Sequence, residues 1–492
     1  MRLFEILLAV SCLFMLNYLV FFKKSARKKA VTALLSAISI GLLLIHLFVE
    51  GYRWQMGLVY VLTALLLCYA AAGWKKQSIQ PSKAKTGKRV LKYGFYAASM
   101  LLLAVSIGLS VILPVFQFPE PTGKYKVGTE LFHFVDQKRK GTFADNPDDP
   151  RELMVRVWYP AEEQTSGRPA PLFPEGERDF NNFIGAYTKQ MGIPKWTLGY
   201  FKYINTHAYS GAKALQGAAP YPLIILSHGM GTSMTLHASQ AETLASHGYV
   251  VATIDHTYST TATVFPDGRV TGYTTDMDGE NFLQQASEVG KVWAEDAEFV
   301  IDQLTKINAG EISSGLKGIF DLQHIGMMGH SFGGATAFDV VSSDDRVKAG
   351  IDMDGTLFEA TKRKQISKPF LFMRAEDYLS STEEYIARSD AEKTVAQHLS
   401  SELSISKKAS KHGGNLLLID GAGHYNFTDL QLFTRLASWT GMAGKIDGKR
   451  GTEIVDRYVV EFFDEHLKGI KGTLLNGPSN MYPEVKFYGK NI

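Results

Sequence analysis

The chain has 492 residues, with 52 Lys plus Arg against 49 Asp plus Glu and a formal net charge of +3. The small total hides two unlike parts: residues 1–117 hold 14 basic and two acidic residues, giving +12, which leaves −9 for the remainder. Hydrophobic residues make up 45% of the chain and Pro only 17 positions, which excludes collagen-like, coiled-coil and largely disordered classes. Both cysteines, Cys12 and Cys68, fall in the basic part, so the rest has no disulfide framework, no thiolate metal site and no Cys nucleophile.

Four apolar runs lie within residues 1–117, at about 5–22, 30–49, 56–73 and 94–116. Each is near the ~20 residues that a helix needs to cross a bilayer, so the segment reads as a four-helix membrane domain. The segment Lys23–Lys29 carries five basic residues and Trp74–Lys92 seven, whereas the N-terminal stub and the Glu50–Gln55 connection carry one each, Arg2 and Arg53. That bias places the two basic loops in the cytoplasm and everything after Gln117 on the extracytoplasmic side of the cell membrane. The basic loops are bounded by membrane-length runs, so they read as topology signals rather than as nucleic-acid contacts. No small-x-small cleavage site follows the first run, and three more runs come after it, which disfavours a cleaved signal peptide. His46 and Glu50 read as interfacial residues, and the spans show no multiple buried charges of the kind that marks a transport path.

Residues 118–492 form a second domain. Phe118–Gly123 is a Pro-rich linker. Thr129–Asp136 and Leu153–Tyr159 alternate as half-buried strands do. Continuous apolar runs follow at Tyr221–Leu226, Tyr249–Ile254, Ile325–Met328, Val347–Met353, Pro369–Met373 and Leu416–Ile419. Helical spacing appears at Glu288–Leu304, Ala335–Val341, Glu383–Leu403 and Thr452–Leu467. Strands buried on both faces and alternating with helices predict an α/β fold with a mostly parallel sheet. Residues 162–220 break the rhythm and are rich in aromatics, including Phe173, Phe183, Trp196, Tyr200 and Tyr203. An insertion of that length is expected to be a peripheral cap, a lid or a binding loop.

The chemistry is concentrated in Gly329-His330-Ser331-Phe332-Gly333-Gly334, a G-x-S-x-G pattern between an apolar strand and a helix. That is the strand–turn–helix setting of a nucleophile elbow, and it makes Ser331 the candidate nucleophile. A serine hydroxyl needs a base. After Ser331 only His398, His412, His424 and His466 remain. His398 and His466 read as helix-surface residues, and His412 precedes the last strand, at its wrong end. His424 follows that strand in the loop Gly421-Ala422-Gly423-His424 and is the candidate base. The acid is Asp354, at the end of Val347–Met353, or Asp377, after the next strand; Asp352 sits inside its strand. The oxyanion donors are the backbone N–H of Phe332 and, from the loop Ser227-His228-Gly229-Met230-Gly231, that of Met230. His228 and His330 lack a second-ligand pattern, so no metal and no cofactor is read here.

SHGMG at 227–231, GHSFGG at 329–334, the strand-ending Asp354 and GAGHYNF at 421–427 resemble the platelet-activating factor acetylhydrolase family of the plasma type (isoform II-like). Pro121-Thr122-Gly123, Val127-Gly128-Thr129 and LMVRVWYPA at 153–161 are similar as well, and the resemblance covers roughly residues 119–470. The four membrane spans are not part of the family's usual pattern. The resemblance implies an α/β-hydrolase fold and metal-free hydrolysis of short or oxidised acyl esters, including the sn-2 ester of phospholipids. It favours Asp354 over Asp377 and maps the oxyanion donors onto Met230 and Phe332. Two other readings stand beside it: a general bacterial carboxylesterase or lipase on non-phospholipid esters, and a non-catalytic membrane-bound binding module.

Overall fold

The computed structural model describes the chain except residues 23–25, 76–84, 145, 147, 164–166, 276, 278–280, 363–365, 389–392 and 489–492. Much of the two basic segments in the N-terminal part therefore lies outside the described residues. The chain divides into two compact units. The first comprises Met1–Phe116 with Lys195–Ile204 and Phe433–Arg435, and the second comprises the rest.

In the first unit, α1 (Leu3–Phe21), α2 (Ala26–Ile45), α3 (Gly57–Lys75) and α4 (Lys85–Ile112) follow the four apolar runs. A π-helical turn, His46–Glu50, extends α2. Four helices here are long and apolar enough to cross a membrane. Leu8, Cys12, Met15, Leu16, Val59, Leu62, Leu66 and Leu103 form their common core. The sequence reads these spans as free of multiple buried charges, but Glu5, His46 and Arg53 are all buried here, because each finds a polar partner. Arg53 Nη1 donates to both Glu5 carboxylate oxygens at 2.9 Å, and Arg2 also pairs with Glu5. His46, fully buried, bonds Glu50 at 2.9 Å and the Tyr60 hydroxyl at 2.6 Å. Arg2–Glu5 and His46–Glu50 are local pairs one helical turn apart, whereas Arg53 reaches Glu5 only because the bundle folds. Part of the aromatic insertion belongs to this unit as well. Trp54 Nε1 donates to the Thr197 carbonyl at 2.9 Å, and the Arg53 guanidinium lies 5.4 Å from the Tyr200 ring.

The second unit is built on strands β1 (Lys126–Lys140), β2 (Pro150–Ala161), β3 (Pro169–Pro171), β4 (Asn205–Ser210), β5 (Tyr221–Ser227) and β6 (Val250–Asp255), a small hairpin β7 (Ala262–Val264) and β8 (Val270–Gly272), then β9 (Phe320–His330), β10 (Val347–Met353), β11 (Phe370–Ala375), β12 (Asn415–Ile419) and β13 (Val485–Tyr488). Eleven of them form one sheet in the order β13-β12-β11-β10-β9-β5-β6-β2-β1-β4-β3. From β12 to β6 every pairing is parallel, and β13 and β2 join antiparallel. The helices are α5 (Glu177–Met191), α6 (Ala238–Ser246), α7 (Phe282–Ala309), α8 (Phe332–Ser343), α9 (Tyr378–Arg388), α10 (Lys393–Lys407), the single turns α11 (Leu430–Phe433) and α12 (Leu436–Trp439), and α13 (Gly448–Lys468). Alternate residues of β9 reveal the two layers. A Cβ on Gly326 would strike Phe463 and Leu467 of α13, whereas Met327 joins Val300 and Leu304 of α7 and Ala337 and Val341 of α8. This is the α/β-hydrolase fold.

The insertion is more than a cap: β3 and β4 extend the sheet beyond β1, and α5 packs on the β7–β8 hairpin. The single helix expected over 383–403 is two, α9 and α10. His398 is 4% exposed within α10, not a surface residue, because it shares a buried face with Glu402 and Ser406, four and eight residues further on.

Candidate active site

Ser331 links β9 to α8 with φ 53° and ψ −121°, a conformation that costs a non-glycine residue roughly 1–3 kcal/mol. The surroundings over-determine it. Ser331 N–H donates to the Met353 carbonyl at 2.9 Å, and its own carbonyl accepts from Gly334 and Ala335. Neighbouring glycines are required by close approach: a Cβ on Gly329 would lie 2.2 Å from the Gly333 carbonyl oxygen, and one on Gly333 would lie 2.4 Å from the Ser227 and His228 carbonyl oxygens. The side chain thus stands at the strand end, at the positive end of the α8 dipole.

Strand pairing sets the acid beside it. Met353 of β10 pairs with His330 of β9, so the next residues, Asp354 and Ser331, leave adjacent strand ends. Asp354 also takes positive φ, 59°. Its Oδ1 accepts from Ala375 N–H at 2.9 Å and its Oδ2 bonds His424 Nδ1 at 2.7 Å. Asp352, two residues back, braces this turn from below, accepting from Gly355 N–H and from Arg374, each at 2.8 Å. Burial raises its pKa against the pull of Arg374. Asp377 is exposed and precedes α9; its carbonyl, not its carboxylate, accepts from Ser380 and Ser381.

His424 opens a 3-10 turn after β12, and its side chain is 41% exposed. Its Nδ1–H donates to Asp354, which leaves Nε2 as an acceptor. The loop is held by Asn426 Oδ1, which accepts from Gly423 and Gly444 N–H groups, and by His330, whose Nε2–H donates to the His424 carbonyl at 2.9 Å. Burial, with His424 nearby, keeps the His330 pKa well below its ordinary value, so this ring is a neutral brace.

Met230 and Phe332 are brought into one cluster with Trp293, Ala335 and Phe358. A Cβ on Gly229 would lie 3.2 Å from Ser331 Cβ, so the loop borders the elbow. Among the described residues of this unit, no group of three or more His, Cys, Asp and Glu side chains converges as metal ligands would.

One constellation was not read from the sequence. Ser227 Oγ lies 3.0 Å from His256 Nε2, and His256 Nδ1 lies 2.9 Å from Asp296 Oδ2. The signal was available at Asp296, a charge on the apolar face of α7 between Trp293 and Val300, where only a buried partner makes it tolerable.

The profile of the family described as "Platelet-activating factor acetylhydrolase, isoform II" matches residues 112–473. The chain belongs to this family. It is 26% identical over 394 residues to a probable 1-alkyl-2-acetylglycerophosphocholine esterase of Arthroderma benhamiae, covering 76% of this chain and 94% of that protein. To the platelet-activating factor acetylhydrolase of Cavia porcellus it is 24% identical over 397 residues, covering 74% and 80%. A solved ferulic acid esterase from Streptomyces cinnamoneus superposes with a TM-score of 0.59 at 29% identity, over 76% of this chain and 99% of that one. The chain is a carboxylic ester hydrolase.

Proposed function

We propose that the chain is a membrane-anchored serine esterase acting on short or oxidised acyl esters, the sn-2 acyl ester of phospholipids among them. His424 takes the proton from Ser331, whose oxygen attacks the ester carbonyl. Asp354 orients His424 and stabilises its cation. The N–H groups of Met230 and Phe332 receive the oxyanion, the alcohol leaves, and water hydrolyses the acyl-enzyme. The observation that carries this reading is the 2.7 Å bond from Asp354 to His424, with Asp354 and Ser331 on adjacent strand ends. The named activities of the relatives supply the phospholipid acyl ester as substrate class.

The four apolar helices supply the anchor, and the basic segments between them put the esterase on the extracytoplasmic face. The test is hydrolysis by the detergent-solubilised full chain of p-nitrophenyl esters of increasing acyl length and of a phospholipid with an sn-2 acetyl group. Faster turnover of the phospholipid supports the lipid reading. The ferulic acid esterase likeness favours one alternative, a general carboxylesterase, which predicts turnover of simple esters and none of the phospholipid. Protease digestion of intact cells tests orientation: cleavage beyond residue 117 is expected, and full protection overturns it.

A further inference from the structure

Ser227, His256 and Asp296 have the connectivity of a nucleophile, a base and an acid, yet all three are fully buried and closed to substrate. Asp296 is clamped by Arg151, with Nε to Oδ1 at 3.0 Å and Nη2 to Oδ2 at 2.6 Å. The His256 ring stacks flat on Trp293, centroids 3.9 Å apart at 8°. Arg151, Asp296 and Trp293 therefore fix the position, plane and tautomer of His256: Nδ1–H donates to Asp296 and Nε2 accepts from the Ser227 hydroxyl.

From there the bonds lead toward Ser331. The backbone N–H of His256 donates to His228 Nε2 at 3.1 Å. That nitrogen is then an acceptor, so the proton of the neutral His228 ring sits on Nδ1, which donates to the Gly229 carbonyl at 2.7 Å. Burial, with His256 nearby, holds His228 neutral. The same carbonyl accepts from Thr232, from N–H at 3.0 Å and from Oγ1 at 2.7 Å. Three donors thus fix the direction of one carbonyl. The peptide is planar and trans, so the N–H of Met230 points opposite to the Gly229 oxygen. Donors that pull that oxygen into the protein necessarily turn the Met230 N–H the other way. This peptide is the part of the loop that borders the nucleophile, within 3.2 Å of Ser331 Cβ for a Cβ on Gly229. Gly231 N–H to the Ser259 carbonyl at 2.9 Å and Thr261 N–H to the Thr232 carbonyl at 3.0 Å hold the far side of the loop.

We propose that Asp296, His256, Ser227 and His228, with Thr232, form a buried positioning relay that aims the Met230 N–H at the oxyanion. The relay rests on the reading of Ser331 as nucleophile and Met230 as oxyanion donor. None of these five residues touches substrate; each acts through the Gly229–Met230 peptide. A preorganised donor contributes to rate only if its direction is fixed before the reaction, and this relay fixes it.

The experiment compares His228→Ala, His228→Asn and Thr232→Val in the solubilised full chain. Asn places an amide N–H where the His Nδ1–H was, and Thr232→Val removes one donor to the same carbonyl at nearly constant shape. Loss of one oxyanion donor costs about 10²–10³ in kcat. His228→Ala, which misaims a donor without deleting it, is expected to lower kcat roughly 10- to 100-fold with KM within about threefold. Thr232→Val is expected to lower it by a few-fold, and His228→Asn to recover most of the loss. The affinity of an alkyl boronic acid, whose adduct with Ser331 places an oxygen in the oxyanion position, should weaken in proportion to kcat/KM. A purely structural role would instead lower the titrated fraction of active sites and leave both constants per site unchanged. Wild-type kcat per site in both His228→Ala and Thr232→Val overturns the relay, and so does a fall in kcat with boronate affinity unchanged. If His228→Ala does not fold, the Thr232→Val comparison decides alone. Ser331→Ala separates the two readings: a wild-type rate there overturns the nucleophile assignment, whereas an inactive Ser331→Ala beside a fully active Thr232→Val and His228→Ala overturns the relay alone.

Discussion

Two Ser–His–Asp sets lie in the same unit, and the contrast between them shows what connectivity leaves undetermined. In the first, Ser331 sits on a strained turn, the His424 side chain is 41% exposed, and Asp354 meets no Arg or Lys among its described partners. In the second, Ser227 ends a regular strand, His256 is fully buried, and Asp296 is held by both Arg151 and Arg139. A base must accept a proton during the reaction, and its acid partner must still have charge to offer the cation that forms. Burial alone would raise the Asp296 pKa, but the neighbouring arginine and His256 hold it low, so its charge is already committed. Burial in turn depresses the pKa of His256 in spite of Asp296. On the proposed reading, similar side chains thus make a reactive group where the site is open and a rigid one where it is buried.

The sharpest way to break this contrast is to delete each serine. Ser331→Ala is expected to lower kcat by roughly 10⁴–10⁶ on a short p-nitrophenyl ester, while Ser227→Ala stays within about tenfold, the scale of a slightly misaimed donor. A fluorophosphonate probe should label the wild type and Ser227→Ala and not Ser331→Ala; labelling of Ser331→Ala would reverse the roles of the two sets. Next come the acids. Asp354→Asn should cost about 10⁴ in kcat, through loss of the correct tautomer of His424, and Asp377→Asn should cost nothing measurable, because that carboxylate is exposed and the His424 Nδ1 bond goes to Asp354. Asp296→Asn should reveal itself differently, as instability: it leaves Arg151 buried without its charge partner, at about 3–5 kcal/mol. Thermal unfolding should therefore separate it from Asp354→Asn, whose midpoint should stay close to wild type.

The reach of sequence reading followed the same division. Ser331 and His424 were legible because each sits in a short motif whose glycines are demanded by local close approach. Asp354 and Asp377 were equivalent by pattern, since both follow apolar strands. What separates them is a bond between residues 354 and 424, which no local pattern encodes. The relay was further out of reach. The sequence places His228 in the oxyanion loop without giving it a role there, and it gives no signal joining it to His256 and Asp296, because the partners lie 28 and 40 residues from His256 along the chain. The parallel strands were visible as continuous apolar runs. The short strands β3 and β4 were not, since Pro169–Pro171 and Asn205–Ser210 are polar or Pro-rich and pair at the sheet edge.

The smallest expected effect carries a sign that bears on the whole contrast. The pKa of His256 is depressed by burial below its ordinary 6.5. The folded state therefore refuses a proton that the unfolded chain accepts near pH 6.5. Its contribution to stability is complete above that pH and is lost as pH falls below it. His256→Gln lacks this ring and so lacks this slope, although it loses bonds at every pH. The Tm difference, wild type minus His256→Gln, should be largest near pH 7.5 and shrink toward pH 5. His330 cancels in the difference to first order, and His228, whose pKa His256 helps to depress, moves the difference in the same direction. A difference that widens toward acid would mean that Asp296 raises the pKa of His256 instead. The buried ring would then hold a proton as a catalytic base does, and burial would no longer be what distinguishes the two sets.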